Sequence, residues 1–223
     1  MLLAALLLAA QPIALDCRRW RSGGDLQSCP LERRSHDVLD AADRPELQRL
    51  GRNAIRFSTM PSLGGTAAIV EIVDDGRARL VGRVYVLVGH PYLGWDVADD
   101  QMFSLSRREY AQLVAGVDWA FAEYPRLVAH LDRSETAEMI VCTDGPGFLT
   151  ERVVQGRVAT LAGDCPLTEE SEHPNRRVVA LLTDLVCRRL GQEAASALQP
   201  YDVQLRRRCP PGTSMQPATG TQD

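Results

Sequence analysis

The chain has 223 residues, 45% of them hydrophobic and 24% charged, with a formal net charge of −4. That length supports one domain with its own core, and the acidic balance offers no electrostatic case for nucleic acid or an anionic membrane surface. All 25 basic residues are arginine, which removes Schiff-base lysines, P-loop lysines and lysine-activated serines. Asparagine occurs only at Asn53 and Asn175, a bias expected of a GC-rich bacterial genome.

The apolar run Leu2 to Ala10 has the length of a signal-peptide core and falls short of the roughly 20 residues a bilayer span needs. The expectation is a signal peptide over 1–14, with Ala10 and Ala14 as cleavage points, and a periplasmic or secreted protein with no transmembrane segment after cleavage. A lipid anchor is disfavoured, because Leu15 and Asp16 rather than a small residue precede Cys17. Residues 16–52 are polar, arginine-rich and weakly periodic, with one short helical candidate around Pro45 to Leu50; they read as a surface arm.

From residue 53 to 209 the pattern is that of a single α+β domain. Strands are expected at Ala54 to Ser58, Thr66 to Val73 and Ala78 to Val88, from their β-branched content and the turn chemistry at Pro61 to Gly65 and Asp74-Asp75-Gly76. A helix follows. Ser106 and Glu109 have capping-box spacing, and Tyr110, Leu113, Val114, Val117, Phe121 and Tyr124 fall on one face of the segment they open. Further strands are expected at Glu138 to Thr143, Phe148 to Val154 and Arg157 to Ala162. Pro174 then opens a second helix, with Val178, Leu181, Leu182, Leu185 and Val186 on its apolar face.

Two stretches, 53–125 and 138–191, can be laid over one another. Gly65, Glu71 and Gly76 match Gly145, Glu151 and Gly156 at an offset of 80. The arginine pairs Arg107-Arg108 and Arg176-Arg177 match at 69. The expected architecture is an antiparallel sheet of about six strands with two helices on one face, a βββα unit used twice, stabilised by disulfides. Beyond Cys209, residues 210–223 are rich in Pro, Gly, Thr and Gln and are expected to be disordered.

Six cysteines in an exported chain read as a disulfide framework. Proximity along the chain favours Cys17 with Cys29, Cys142 with Cys165, and Cys187 with Cys209. On a helical projection Cys187 stands nearly opposite the apolar face of its helix, placed to hold the returning chain. There is no Cys-x-x-Cys, no His-Glu-x-x-His and no Gly-x-Ser-x-Gly, so no metal, cofactor or catalytic residue is assigned.

The segment with the most functional chemistry is 90–100, read as a loop of about a dozen residues after an apolar strand. Its His90, Tyr92, Trp95, Asp96, Asp99 and Asp100 combine an imidazole, carboxylates and aromatic rings, types able to hold a cation or frame a small ligand. The Asp spacing does not match a calcium loop. The leading expectation is a non-enzymatic module binding a protein, peptide or envelope component, along a sheet edge. The alternative is an exported hydrolase or metal-dependent enzyme working from the 90–100 loop.

Overall fold

A computed structural model describes residues 30–50, 53–61, 64–74, 80–90, 92–131, 147–154, 156–163, 174–198 and 209. The leader over 1–14, the strand candidate Glu138 to Thr143, the pairs Cys17–Cys29 and Cys142–Cys165, and the tail after 209 lie outside them. The protein is an antiparallel six-stranded α+β fold. Its strands are β1 (Ile55–Met60), β2 (Gly65–Asp74), β3 (Leu80–His90), β4 (Gly94–Ser104), β5 (Gly147–Val154) and β6 (Arg157–Gly163), in the order β4-β3-β2-β1-β5-β6. The helices are α1 (Pro30–Ala41), α2 (Leu47–Leu50), α3 (Arg107–Leu131), α4 (Asn175–Leu190) and α5 (Gln192–Leu198).

Side chains alternate across each strand, so the sheet has two chemically distinct sides. On one side Ile55, Phe57, Ala68, Val70, Ile72, Val84, Phe103, Phe148 and Leu161 pack against Leu113 and Val117 of α3 and Val178, Leu182 and Leu185 of α4. The apolar faces expected of both helices are therefore the ones buried. At the start of α3 the Ser106 backbone N–H donates to Glu109 Oε2 at 2.8 Å, and the Glu109 N–H donates to Ser106 Oγ at 3.2 Å. That reciprocal exchange is a capping box. Two glycines permit close approach: a Cβ at Gly82 would run into the Phe103 ring, and one at Gly116 of α3 into Leu181 of α4.

The other side is covered as well. Val38 and Leu39 of α1 and Ala42 just after it pack on Met60, Ala67, Ile69, Tyr85, Leu87, Trp95 and Leu149, while Leu47 of α2 meets Ala54 and Val153. The stretch read as a surface arm thus contributes a helical layer. Its apolar residues are few but stand on one face of α1, and part of what binds the stretch to the sheet is ionic.

Cys187 and Cys209 are bonded, with Cα atoms 5.5 Å apart. Both are buried, in the cluster that also holds Ala194, Ala195 and Leu198 of α5. The helical projection placed Cys187 away from the apolar face; in the folded chain that position is covered, because α5 and Cys209 pack there. Among the described residues no helix is long and apolar enough to cross a membrane.

Glu109 is held down to about 2, first by the Ser106 N–H, then by the Ser106 hydroxyl and Arg189. A lowered carboxylate stabilises the fold above its unfolded value and loses that contribution as pH falls toward the folded one. Ser106→Ala should therefore cost about 1 kcal/mol in urea denaturation at pH 7. The difference from wild type should shrink between pH 4.5 and 2.

Candidate functional site

Two places concentrate polar chemistry. The first is a row of charges running across the α1 side of the sheet. Arg83 of β3 lies opposite Glu71 of β2, Glu71 opposite Arg56 of β1, and Arg56 opposite Glu151 of β5. Cross-strand partners point to the same side, so four charges of alternating sign stand in line on the α1 side of the sheet, with Arg83 at the partly exposed end. Arg56 and Glu71 are each only 2% exposed.

The three kinds of guanidinium nitrogen on Arg56 are all engaged. Nε donates to Glu71 Oε1 at 2.9 Å, Nη1 to Glu151 Oε2 at 3.4 Å, and Nη2 to the Pro45 carbonyl at 2.6 Å. Arg44, in the connection between α1 and α2, donates to Glu71 from Nε at 3.1 Å and from Nη2 at 2.8 Å. Its guanidinium also lies 4.8 Å from the centre of the Tyr85 ring, and that of Arg83 lies 4.7 Å from it, both within cation–π range. Burial pushes the Tyr85 phenol up, so the ring stays neutral between two cations. The Tyr85 hydroxyl and Ser58 Oγ, one row along, find no hydrogen-bond partner among the described residues; nothing in the structure accounts for that.

Glu151 is held by opposing forces. Burial raises its pKa, opposed by the charge of Arg56, by their hydrogen bond and by His36 of α1, and reinforced by the charge of Glu71. Arg56 and Glu71 are buried, Glu151 is largely so, and the donors of Arg56 are already used, while Arg83 at the end of the row is partly exposed and paired with Asp100. The chemistry of the array is that of an internal clamp joining β2, β1, β5 and the α1–α2 connection.

The second place is the segment read as a loop. Residues 94–104 form the edge strand β4, and the connection from β3 is a short turn closed by the Leu93 N–H donating to His90 O at 3.0 Å, with Gly94 at φ +100°. The loop reading is corrected by the pairing of β4 with β3 from His90–Gly94 to Val81–Ser104. Acidic, weakly β-prone residues form a strand here because β3 supplies the ladder, and at an edge one side of the ladder suffices.

The structure divides the candidate residues between the two sides. Trp95, opposite Gly89, is buried under α1. Asp100 stands on that same side, where Arg83 Nε donates to its Oδ1 at 2.6 Å and a second donation runs from Nη2 to Oδ2. This ion pair holds Asp100 below the usual carboxylate range. Asp96 and Asp99 oppose Val88 and Val86 and stand on the α3 side, the side to which alternation also assigns His90. His90 Nδ1 accepts the Tyr92 N–H at 3.2 Å, and Tyr92 sits exposed at the turn. Among the described residues no three of His, Cys, Asp and Glu come together as a metal-holding group.

No family model matches this chain, and comparison with curated proteins and with solved structures finds no significant match to either.

Sequence reasoning missed Arg56 as the centre of the clamp. The offset of 80 had paired Glu71 with Glu151, and both prove to flank Arg56, one from each neighbouring strand. A single arginine inside the buried run Ile55–Met60 was the available signal.

Removing one member of a buried ion group leaves the others unpaired. Arg56→Met should cost about 3–5 kcal/mol in urea denaturation, and adding Glu151→Gln, which removes the carboxylate left without its arginine while Glu71 keeps Arg44, should recover part of that loss. Glu151 carries a raised value, so its ionisation opposes folding as pH rises through the range above an ordinary glutamate. Glu151→Gln should flatten the fall in urea midpoint as pH rises above the ordinary glutamate value.

Proposed function

We propose that this is an exported, disulfide-stabilised binding module that takes up an extended segment of a partner along the outer edge of β4. The observation that carries the reading is β4 itself. It is an eleven-residue strand at the end of the sheet, and among the described residues nothing pairs with its outer side. An edge of this length offers a row of free backbone donors and acceptors, the basis of strand addition. Beside it stand exposed apolar side chains: Tyr92 at 86%, Leu93 at 88%, and Val88, Val97 and Met102. Val97 and Met102 are the side chains an added strand would lie beside, with Tyr92 and Leu93 at the adjoining turn and Val88 one strand in, on β3.

Two features support export: the apolar run at Leu2 to Ala10 with small residues after it, and the bonded Cys187–Cys209 pair, since such bonds persist in oxidising compartments. A hydrolase or metal-dependent enzyme at the same segment is less well supported, because Trp95 and Asp100 stand on the α1 side, away from Asp96 and Asp99.

Protein recovered from the cell envelope should have the intact mass of a chain lacking its first 14 residues, with no free thiol. Panning the full mature protein against a random dodecapeptide display library should enrich extended, β-prone sequences. Hydrogen exchange with a synthetic enriched peptide should slow amides within 94–104. Protection confined to other elements, or no enrichment, would overturn strand addition.

A further inference from the structure

We infer that the segment taken up at β4 is an amphipathic strand in which apolar residues alternate with cationic ones; this rests on the strand-addition reading above. The irregularity in β4 sorts its side chains. Leu87 pairs with Val97 while Val86 pairs with Asp99, so Ala98 is an extra residue in β4, a bulge. Without it, strict alternation would put Val97 and Asp99 on one side, and Asp96 and Met102 on the other. With it, Val97 and Met102, opposite Leu87 and Arg83, both stand on the α1 side. Asp96 and Asp99, opposite Val88 and Val86, both stand on the α3 side. The bulge therefore puts the exposed apolar residues of β4 itself, Val97 and Met102, on the side away from Asp96 and Asp99; exposed Val88 of β3 stands on the acid side, opposite Asp96.

The remaining acid on the apolar side is already answered. Asp100 is paired with Arg83, so it asks nothing of an incoming chain. Asp99 accepts the Asp100 N–H at 2.9 Å and a donation from the Gln101 side-chain amide, and neither neutralises its charge. Asp96 is exposed and carries no ion pair among the described residues. A strand laid beside β4 sets its alternate side chains next to Val97 and Met102 on one side and next to Asp96 and Asp99 on the other. Apolar groups suit the first, and arginine or lysine the second, since opposite charges on neighbouring strands attract and like charges repel. A second copy of the chain pairing through its own β4 would bring acid against acid, so the complement is a different chain.

The test uses full mature protein and three labelled ten-residue peptides with valine at alternate positions. Arginine, glutamine or glutamate fills the others, and binding is read by fluorescence anisotropy. The arginine peptide should bind about tenfold more tightly than the glutamine peptide, the glutamate peptide should bind most weakly, and the preference should shrink with added salt. Asp96→Asn, at an exposed position, and Asp96→Asn with Asp99→Asn should progressively bring the arginine peptide to the affinity of the glutamine peptide, which they leave unchanged. Equal affinity of wild type for the arginine and glutamine peptides would overturn the charge preference while leaving strand addition standing. No binding of any peptide would overturn both.

Discussion

The guanidinium of Arg56 lies out of water in the middle of the sheet, between two glutamates contributed by strands on either side of β1. A cation so placed is tolerated only when its charge and its N–H groups are answered together. Glu71, Glu151 and the Pro45 carbonyl answer them from three separate parts of the chain. The covering layer depends on the same requirement, because Arg44 reaches Glu71 from the α1–α2 connection. Helices, hairpins and central strand are thereby committed to one mutual arrangement.

The arrangement also fixes register. A slip of β1 by one residue would turn Arg56 toward the apolar cluster under α3 and α4 and bring Ile55 or Phe57 into the charged row. Hydrophobic burial on its own discriminates weakly here, since β1 is buried on both sides along its whole length. The ions supply what the apolar pattern lacks.

Much of the architecture could be read from residue pattern, where local chemistry decided the outcome. The capping box at Ser106 and Glu109, the apolar faces of α3 and α4, and the strands near 55–60, 65–74, 80–90 and 147–163 follow from side chains acting on their own neighbourhood. Strand β4 was illegible because its Gly-Trp-Asp-Val-Ala-Asp-Asp run lacks strand propensity and is held in place by β3. Helix α1 was passed over because polar and charged residues dominate Pro30–Ala41, and the connection after it is fastened by Arg44 with Glu71, a contact 27 residues apart in sequence. The six residues singled out at 90–100 do occupy one hairpin, but the bulge at Ala98, which decides that Asp99 joins Asp96 and Asp100 joins Trp95, leaves no mark in composition.

The strand order has a consequence in time. Strands β1 to β4 form a meander of neighbouring pairings, and Arg56 finds Glu71 only 15 residues away. Glu151 is 95 residues from Arg56, and its strand reaches β1 only after the span holding β2, β3, β4 and α3 has been made. Long-range pairings of this kind form slowly, because the loop must close before the contact rewards it. Until β5 docks, the open flank of β1 shows an incompletely answered cation amid unpaired backbone. A chain emerging from its amino terminus would therefore hold a partly built sheet whose exposed central strand is the place most in need of protection.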